Sequence, residues 1–159
     1  FPTRRSSDLE LTLTHYGEVP ALYGCGFHPF FPFDERSKVQ FQVSGYWPEG
    51  ENHLPLNWQG NLPDYANFSV AQFGEDRWLN VGYSGWGGRA WVSNDVMNIT
   101  ILSQTPWLML FRMQGESFLC LEPQSHPVNA HNMDGQPGLR VLGAGDKLNF
   151  SLKIIIEGA

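Results

Sequence analysis

Two residues of the chain, His28 and Glu122, combine an imidazole and a carboxylate in surroundings that suit proton transfer. His28 follows a glycine-rich stretch and precedes a cluster of phenylalanines that begins at Phe30, and Glu122 ends the apolar run 118–121. A carboxylate at the end of a buried strand is costly unless it is paired or used, and burial raises its pKa. Glu and His on opposite sides of a small substrate could therefore serve as the base and the acid of a proton shuttle.

Each of these residues also has a purely structural explanation. A lone histidine beside aromatic side chains is more often a hydrogen-bonded structural residue, and a glutamate before a proline can be an exposed loop carboxylate. Trp86, in a glycine-rich segment, could stack on a sugar ring or cap a hairpin, and the residues themselves do not choose between these roles. His126 and His131 lie in a Pro/Asn loop without a cysteine or carboxylate pattern, so we predict no metal site.

The composition predicts one folded domain and excludes some partners. The 159 residues are 42% hydrophobic and 16% charged, with a net charge of -6, which is typical of a globular chain. An acidic chain without a basic stripe argues against nucleic acid and anionic membranes as partners. No apolar run approaches the ~20 residues that a membrane-spanning helix needs. Cys25 and Cys120 are far apart among apolar residues, which favours buried free thiols over a disulfide.

Short segments of alternating apolar and polar residues, and no sustained helical period, predict an all-β protein. The predicted strands are 10–15, 38–44, 67–73, 79–84, 89–93, 97–103, 107–113, 117–121 and 148–156. We interpret 85–88 as the glycine turn of a hairpin that joins 79–84 to 89–93, and we interpret 51–65 and 124–138 as long loops. Many short strands without helices indicate a sandwich or a barrel.

Three motifs, in this order along the chain, resemble the aldose 1-epimerase (galactose mutarotase) family. They are Gly26–Phe31 (Gly-x-His-Pro-Tyr-Phe in the family), Tyr83–Ala90 (Phe-x-Gly-Trp-x-Gly-x-Ala) and Phe118–Gln124 (Cys-x-Glu-Pro). Each motif is weak alone, whereas the three with matching order and spacing are a specific signal. The resemblance implies a large antiparallel β-supersandwich of the galactose mutarotase type, of which this chain is a partial domain.

The resemblance also implies a reaction, the interconversion of the α and β anomers of a free aldose without metal or cofactor. Glu122 would take the proton of the anomeric hydroxyl, and His28 would protonate the ring oxygen. The partner would be a small-molecule sugar.

Four further residues are assigned to sugar binding by the same resemblance: Asn80, Trp86, Phe30 and Gln124. Phe30 stands where the family often has Tyr, and Asn80 stands near a frequent Asp, so the preferred sugar stays open.

Two alternatives remain open at this point. A hexose-6-phosphate 1-epimerase would need a cluster of basic residues for the phosphate, and Arg89, Arg112 and Arg140 are scattered along the chain. A non-catalytic carbohydrate-binding module would keep Trp86 and Asn80 without needing a Glu–His pair.

The beginning of the chain suggests a different origin from the rest. Full-length family members are longer than a single domain of ~100–150 residues, and this chain aligns with their C-terminal half. Residues 1–9 translate the end of a common sequencing adapter, so we predict an adapter artefact that packs against nothing, followed by a C-terminal epimerase part at 10–159.

For that part we expect a half-open cleft lined by His28 and Glu122, with Trp86 nearby, beside an apolar exposed surface. We expect this piece by itself to be a poor enzyme or inactive, because the N-terminal residues that would orient the sugar are missing. We also expect a cytoplasmic protein, and we leave the periplasm open because the native N-terminus would be missing.

Overall fold

The computed structural model describes residues 4–159, and these residues form two antiparallel β-sheets that pack face to face. Within the described residues the strands are β1 (Arg5–Thr14), β2 (Ala21–Tyr23), β3 (Phe30–Pro32), β4 (Lys38–Phe41), β5 (Gly45–Trp47), β6 (Gln72–Phe73), β7 (Leu79–Ser84), β8 (Arg89–Ser93), β9 (Met97–Leu102), β10 (Trp107–Arg112), β11 (Phe118–Gln124), β12 (Arg140–Leu142) and β13 (Lys147–Gly158). Three single turns are 3₁₀-helical: Glu51–His53, Asp64–Ala66 and Ala130–Asn132. The predicted all-β antiparallel sandwich is confirmed.

The two sheets bury one face each and leave the other face outside. The first sheet has the strand order β1-β13-β9-β8-β4-β6 and the second has the order β3-β11-β10-β7-β5, while β2 and β12 form a separate pair. Because side chains alternate between the faces of a strand, Leu110 and Leu121 of the second sheet meet Val92 and Ile101 of the first, all at most 1% exposed. The alternate residues of the five-stranded sheet therefore project from its outer face.

The predicted hairpin through residues 85–88 is wrong, because this segment crosses from one sheet to the other. β7 pairs with β5 and β10, whereas β8 pairs with β4 and β9. Gly88 has a φ of 77°, and a Cβ atom there would lie 2.6 Å from the carbonyl oxygen of Ser103. Glycines permit such a crossing as readily as they permit a hairpin turn, so the local sequence does not separate the two.

The first strand begins earlier than expected. Arg5–Leu9 pair with Leu152–Ile156 of β13, and Arg4 lies 3.5 Å from the Glu157 carboxylate. The prediction that residues 1–9 pack against nothing is therefore wrong for the paired part, because the edge of β13 offers backbone donors and acceptors that a neighbouring strand satisfies. These residues stay exposed and outside the core. Phe1 lies outside the described residues, and the adapter origin of the segment stays a prediction.

The remaining differences between the predicted and the observed strands concern strand length. The strands predicted at 79–84 and 89–93 occur with those bounds, whereas the three-residue strands were missed because so few residues show no alternation. Among residues 4–159 there is no helix with the length and apolar character that crossing a bilayer demands.

Candidate active site

The structure brings His28 and Glu122 into direct contact. The imidazole Nε2 of His28 lies 3.1 Å from Oε1 of Glu122, and the two side chains are 53% and 9% exposed, respectively. The expectation that they lie on opposite sides of a small substrate is thus corrected to a side-by-side arrangement. An open imidazole beside a buried carboxyl can exchange a proton with it and with a ligand at the same place.

Backbone pairing explains why two residues so distant in sequence meet. Glu122 projects from the outer face of β11, because the residues on either side of it in the strand point into the core. The segment 25–27 runs beside the end of β11 through two backbone hydrogen bonds, from Phe27 N to the oxygen of Pro123 (3.0 Å) and from Ser125 N to the oxygen of Cys25 (2.8 Å). This pairing places the next residue, His28, beside Glu122.

Gly26 allows the segment 25–27 to lie this close to the end of β11. A Cβ atom at Gly26 would lie 2.9 Å from the carbonyl oxygen of Pro123, so a larger residue would push the two segments apart. Pro29 then disfavours a helical conformation at His28, which keeps that residue extended. The glycine and the proline of the first motif therefore have a structural role in positioning the histidine.

The environment of Glu122 brings its titration into the neutral range. Burial raises the pKa of the Glu122 carboxyl to about 7, and the nearby positive charge of His28 opposes that rise. A group with a pKa near the working pH is present in both protonation states, which is what general acid–base catalysis requires.

A thiol that the sequence analysis did not connect with the pair lies beside it. Cys120 stands two residues before Glu122 on the same face of β11, and it is fully buried. Its sulfur, a ring nitrogen of His28 and a carboxylate oxygen of Glu122 all lie within 4.8 Å of one another. Burial, followed by the charge of Glu122, raises the pKa of the Cys120 thiol to about 12. The two-residue spacing along a predicted strand was the signal that could have identified it.

Aromatic side chains cover the sheet next to the pair, and we call Phe30, Trp78, Phe111 and Phe118 the aromatic patch. The ring of Phe30, which is 60% exposed, stacks on His28 at 5.0 Å between centroids. Phe111 lies 6.4 Å from the His28 ring and meets Trp78 edge to face at 5.3 Å. Phe30 therefore lies beside His28, with part of its ring open to solvent.

A polar cluster lies at the far side of the aromatic patch and centres on Glu49. Its carboxylate accepts hydrogen bonds of 2.6 Å from Asn80 Nδ2 and Trp78 Nε1, and His53 Nδ1 lies 2.6 Å from it as well. Partial burial tends to raise the pKa of Glu49, but the hydrogen bonds from Asn80, His53 and Trp78 lower it overall. The carboxylate consequently stays charged in the neutral range.

The loop that carries this cluster has an unusual backbone. Asn52 and His53 are consecutive non-glycine residues with φ values of 54° and 60°, a conformation that costs energy and is concentrated at functional sites. The sequence analysis missed Glu49 and His53 because they lie in a turn and a loop without periodicity. Of this cluster only Asn80 was predicted. It is paired with Phe111 of β10, which in turn is paired with Cys120 of β11, so the three side chains share one face of the sheet.

Trp86 is corrected from a sugar-binding residue to a core residue. It is 3% exposed, and its indole N–H donates a hydrogen bond to the carbonyl oxygen of Arg89 at 2.9 Å. The indole belongs to the buried core cluster between the sheets. Gln124, by contrast, lies two residues beyond Glu122 on the same strand, and its backbone oxygen accepts a hydrogen bond from Thr105.

The two sheets have the architecture of the galactose mutarotase-like proteins. A crystal structure from Escherichia coli K12, whose assignment as an aldose 1-epimerase is provisional, matches with a TM-score of 0.91 and 27% identity over 97% of this chain and 57% of that one. The galactose 1-epimerase from Lactobacillus acidophilus NCFM matches with a TM-score of 0.74 over 96% of this chain and 54% of that one, and at 15% identity it shows the fold alone. These neighbours confirm the resemblance at the level of the fold.

A relative identified by sequence comes from the same organism as the first of these structures. The chain is similar to the uncharacterized protein YphB of Escherichia coli (strain K12), with 28% identity over 158 residues, which are 92% of this chain and 54% of that protein. The chain thus spans about half the length of the curated relative that it matches. No model of a known protein family matches the chain.

Proposed function

We propose that this chain carries the acid–base pair of an aldose 1-epimerase. The observation that supports the proposal most is the 3.1 Å contact between His28 and Glu122, together with a Glu122 pKa of about 7. Neither feature is needed by a module that only binds sugar. The similarity to a structure provisionally assigned as an aldose 1-epimerase points in the same direction.

In this mechanism the sugar lies with its anomeric carbon against the pair. The Glu122 carboxylate takes the proton of the anomeric hydroxyl, a carbonyl forms at C1, and the bond between C1 and the ring oxygen breaks. The His28 imidazolium gives its proton to the departing ring oxygen, so the open-chain sugar carries no net charge. After rotation about the C1–C2 bond the two residues exchange roles and the ring closes as the other anomer.

The side-by-side geometry suits this chemistry. The anomeric and ring oxygens are bonded to the same carbon, so one proton acceptor and one donor must reach two neighbouring atoms. A pair separated by 3.1 Å can do so from one side of the ring. On ring closure Glu122 gives back the proton that it took and His28 regains the proton that it gave, so the cycle needs no net proton from bulk solvent.

The surroundings of the pair provide separate contacts for the C–H groups and for the hydroxyl groups of a sugar. The aromatic patch offers apolar faces on which the C–H groups of a pyranose can pack, as aromatic rings do at ligand sites. The polar cluster offers acceptors for hydroxyl groups away from C1, namely the Glu49 carboxylate and the amide oxygen of Asn80. Gln124 and Phe30 complete the proposed contacts near the anomeric carbon.

The phosphorylated-sugar alternative receives less support from the geometry. Arg112 is buried on the inner side of β10, and its charged neighbour there is Asp76 at 4.0 Å. Arg89 belongs to the other sheet and Arg140 to the separate pair of short strands. Among the described residues these three arginines do not converge beside His28.

Polarimetry of the 159-residue chain tests the proposal. Freshly dissolved α-glucose and α-galactose are followed with wild type, Glu122→Gln and His28→Asn, above the spontaneous rate. Loss of a general base typically lowers the rate by ~10²–10⁴-fold, so both variants should fall to the spontaneous rate. Glu116→Gln, in the exposed turn between β10 and β11, is the matched control. Equal rates for wild type and Glu122→Gln, both above the spontaneous rate, would refute the proposed role of Glu122.

A further inference from the structure

We propose that His28, Cys120 and Glu122 form a binding site for a thiophilic divalent cation of the Zn²⁺ type. The inference rests on the meeting of three different ligand groups and does not depend on which reaction the Glu–His pair performs. Local spacing in the sequence singles out only the histidines of the 124–138 loop, because His28 lies far from Cys120 and Glu122 along the chain.

The chemistry of the three groups selects the class of metal. Imidazole nitrogen, cysteine sulfur and carboxylate oxygen are the three protein ligands of zinc, and thiolate disfavours Mg²⁺ and Ca²⁺. With Zn–S near 2.3 Å and Zn–N near 2.0–2.1 Å, ligand atoms of one tetrahedral ion lie roughly 3–4 Å apart. The His28–Glu122 distance of 3.1 Å fits this range, and all three ligand atoms lie within 4.8 Å of one another.

Small side-chain movements would complete the geometry. His28 is the most exposed of the three and lies in a loop before β3, so its ring can turn toward the sulfur more easily than the strand residues can move. Cys120 and Glu122 are held two residues apart on one face of β11. The site would provide three protein ligands, and the fourth position would face the aromatic patch and remain open to water.

Binding must release protons, because metal ligands are deprotonated. The Cys120 thiol loses its proton to solvent and the sulfur donates an electron pair to the cation, while neutral His28 and ionised Glu122 donate through nitrogen and oxygen. The ion would occupy both groups that the epimerase mechanism needs free.

The other candidate ligands in the described residues are less suitable. Cys25 is a second free thiol, and its backbone N–H donates a hydrogen bond of 2.9 Å to the Ser125 hydroxyl. His126 and His131 have ring centroids 6.3 Å apart and could bind an ion weakly without a thiol. These residues supply the controls for the experiment.

Cobalt substitution in the 159-residue chain tests the proposal directly. Co²⁺ is titrated into reduced protein while the tetrahedral d–d bands and the thiolate-to-cobalt charge-transfer band are recorded, and Zn²⁺ is then added to displace it. Wild type and Cys25→Ser should show the charge-transfer band. Cys120→Ser should lack it and should bind Zn²⁺ at least ~10-fold more weakly, since even the loss of an outer partner of a metal ligand costs 10–100-fold.

Further variants keep the test decisive if Cys120→Ser does not fold, which circular dichroism will show. Glu122→Gln and His28→Asn each leave the thiol in place, so they should retain the charge-transfer band and weaken Zn²⁺ binding by at least about 10-fold. The proposal is overturned if wild type shows no charge-transfer band, if the band is lost in Cys25→Ser, or if Zn²⁺ affinity falls only in His126→Ala and His131→Ala.

Discussion

The side-chain amide of Asn80 donates a 2.6 Å hydrogen bond to the carboxylate of Glu49. Asn80 belongs to β7 and Glu49 follows β5, so the contact joins two neighbouring strands of the five-stranded sheet at its outer face. The sequence analysis noted a neutral amide where a carboxylate was expected. The structure supplies a carboxylate there from a different part of the chain.

Glu49→Gln should therefore weaken sugar binding. Hydrogen bonds to a charged group contribute about 1.5–3 kcal/mol, and 1.4 kcal/mol is tenfold in affinity, so Kd should rise roughly 10-fold or more. Titration of glucose and galactose followed by NMR measures the change. Glu51→Gln, an exposed residue of the same loop, is the matched control and should leave Kd unchanged. Equal affinities for wild type and Glu49→Gln would remove Glu49 from the proposed site.

The fate of these residues shows what the sequence could predict. The alternation of residues in β11 predicts that the Glu122 side chain points to the outer face of the sheet. The resemblance to the family predicts that His28 acts together with it. The Glu49 contacts depend on which strands become neighbours, and β5 is too short to show a period. Trp86 shows the opposite error, because a glycine-rich segment was assumed to be exposed when it crosses between two sheets and buries its ring.

The titration of Glu122 should depend on His28. In wild type the carboxyl should titrate with a midpoint of about 7. His28→Asn removes a positive charge that lowers the pKa of Glu122, so the midpoint should move upward. Carbon-13 NMR of the labelled side-chain carboxyl measures it without any need for catalysis. His131→Asn, at an exposed position in another loop, should leave the midpoint where it is. A downward movement in His28→Asn would contradict the arrangement described.

The same pKa predicts how stability depends on pH. The folded state raises the pKa of Glu122 from 4.5 to about 7, so between those values the folded protein binds more protons than the unfolded chain. The contribution of Glu122 to the free energy of unfolding therefore declines as the pH rises from 4.5 to 7, by about 3 kcal/mol at most.

Glu122→Gln has no charge to bury in the folded state. Its free energy of unfolding should therefore exceed that of wild type by more at pH 8 than at pH 5. Urea unfolding at both values measures the difference between variant and wild type. In Glu116→Gln, where the carboxyl is exposed, the difference should be the same at both values. A stabilisation that does not grow with pH would show that Glu122 carries no ionisation penalty in the folded protein.

Two tryptophans should respond in opposite ways to the same substitution. Trp86→Phe removes the buried N–H that bonds to Arg89 and leaves that carbonyl without its partner, at a cost of about 1–3 kcal/mol of stability. Sugar affinity should stay within about twofold, well under the factor of ten that 1.4 kcal/mol represents. Trp78→Phe, at a position 40% exposed, should change stability little but weaken sugar binding, because it removes a donor that fixes Glu49. Urea unfolding and NMR titration of both variants measure the two effects. If Trp86→Phe weakens sugar binding more than Trp78→Phe does, then Trp86 contributes to the site after all and its assignment to the core alone is wrong.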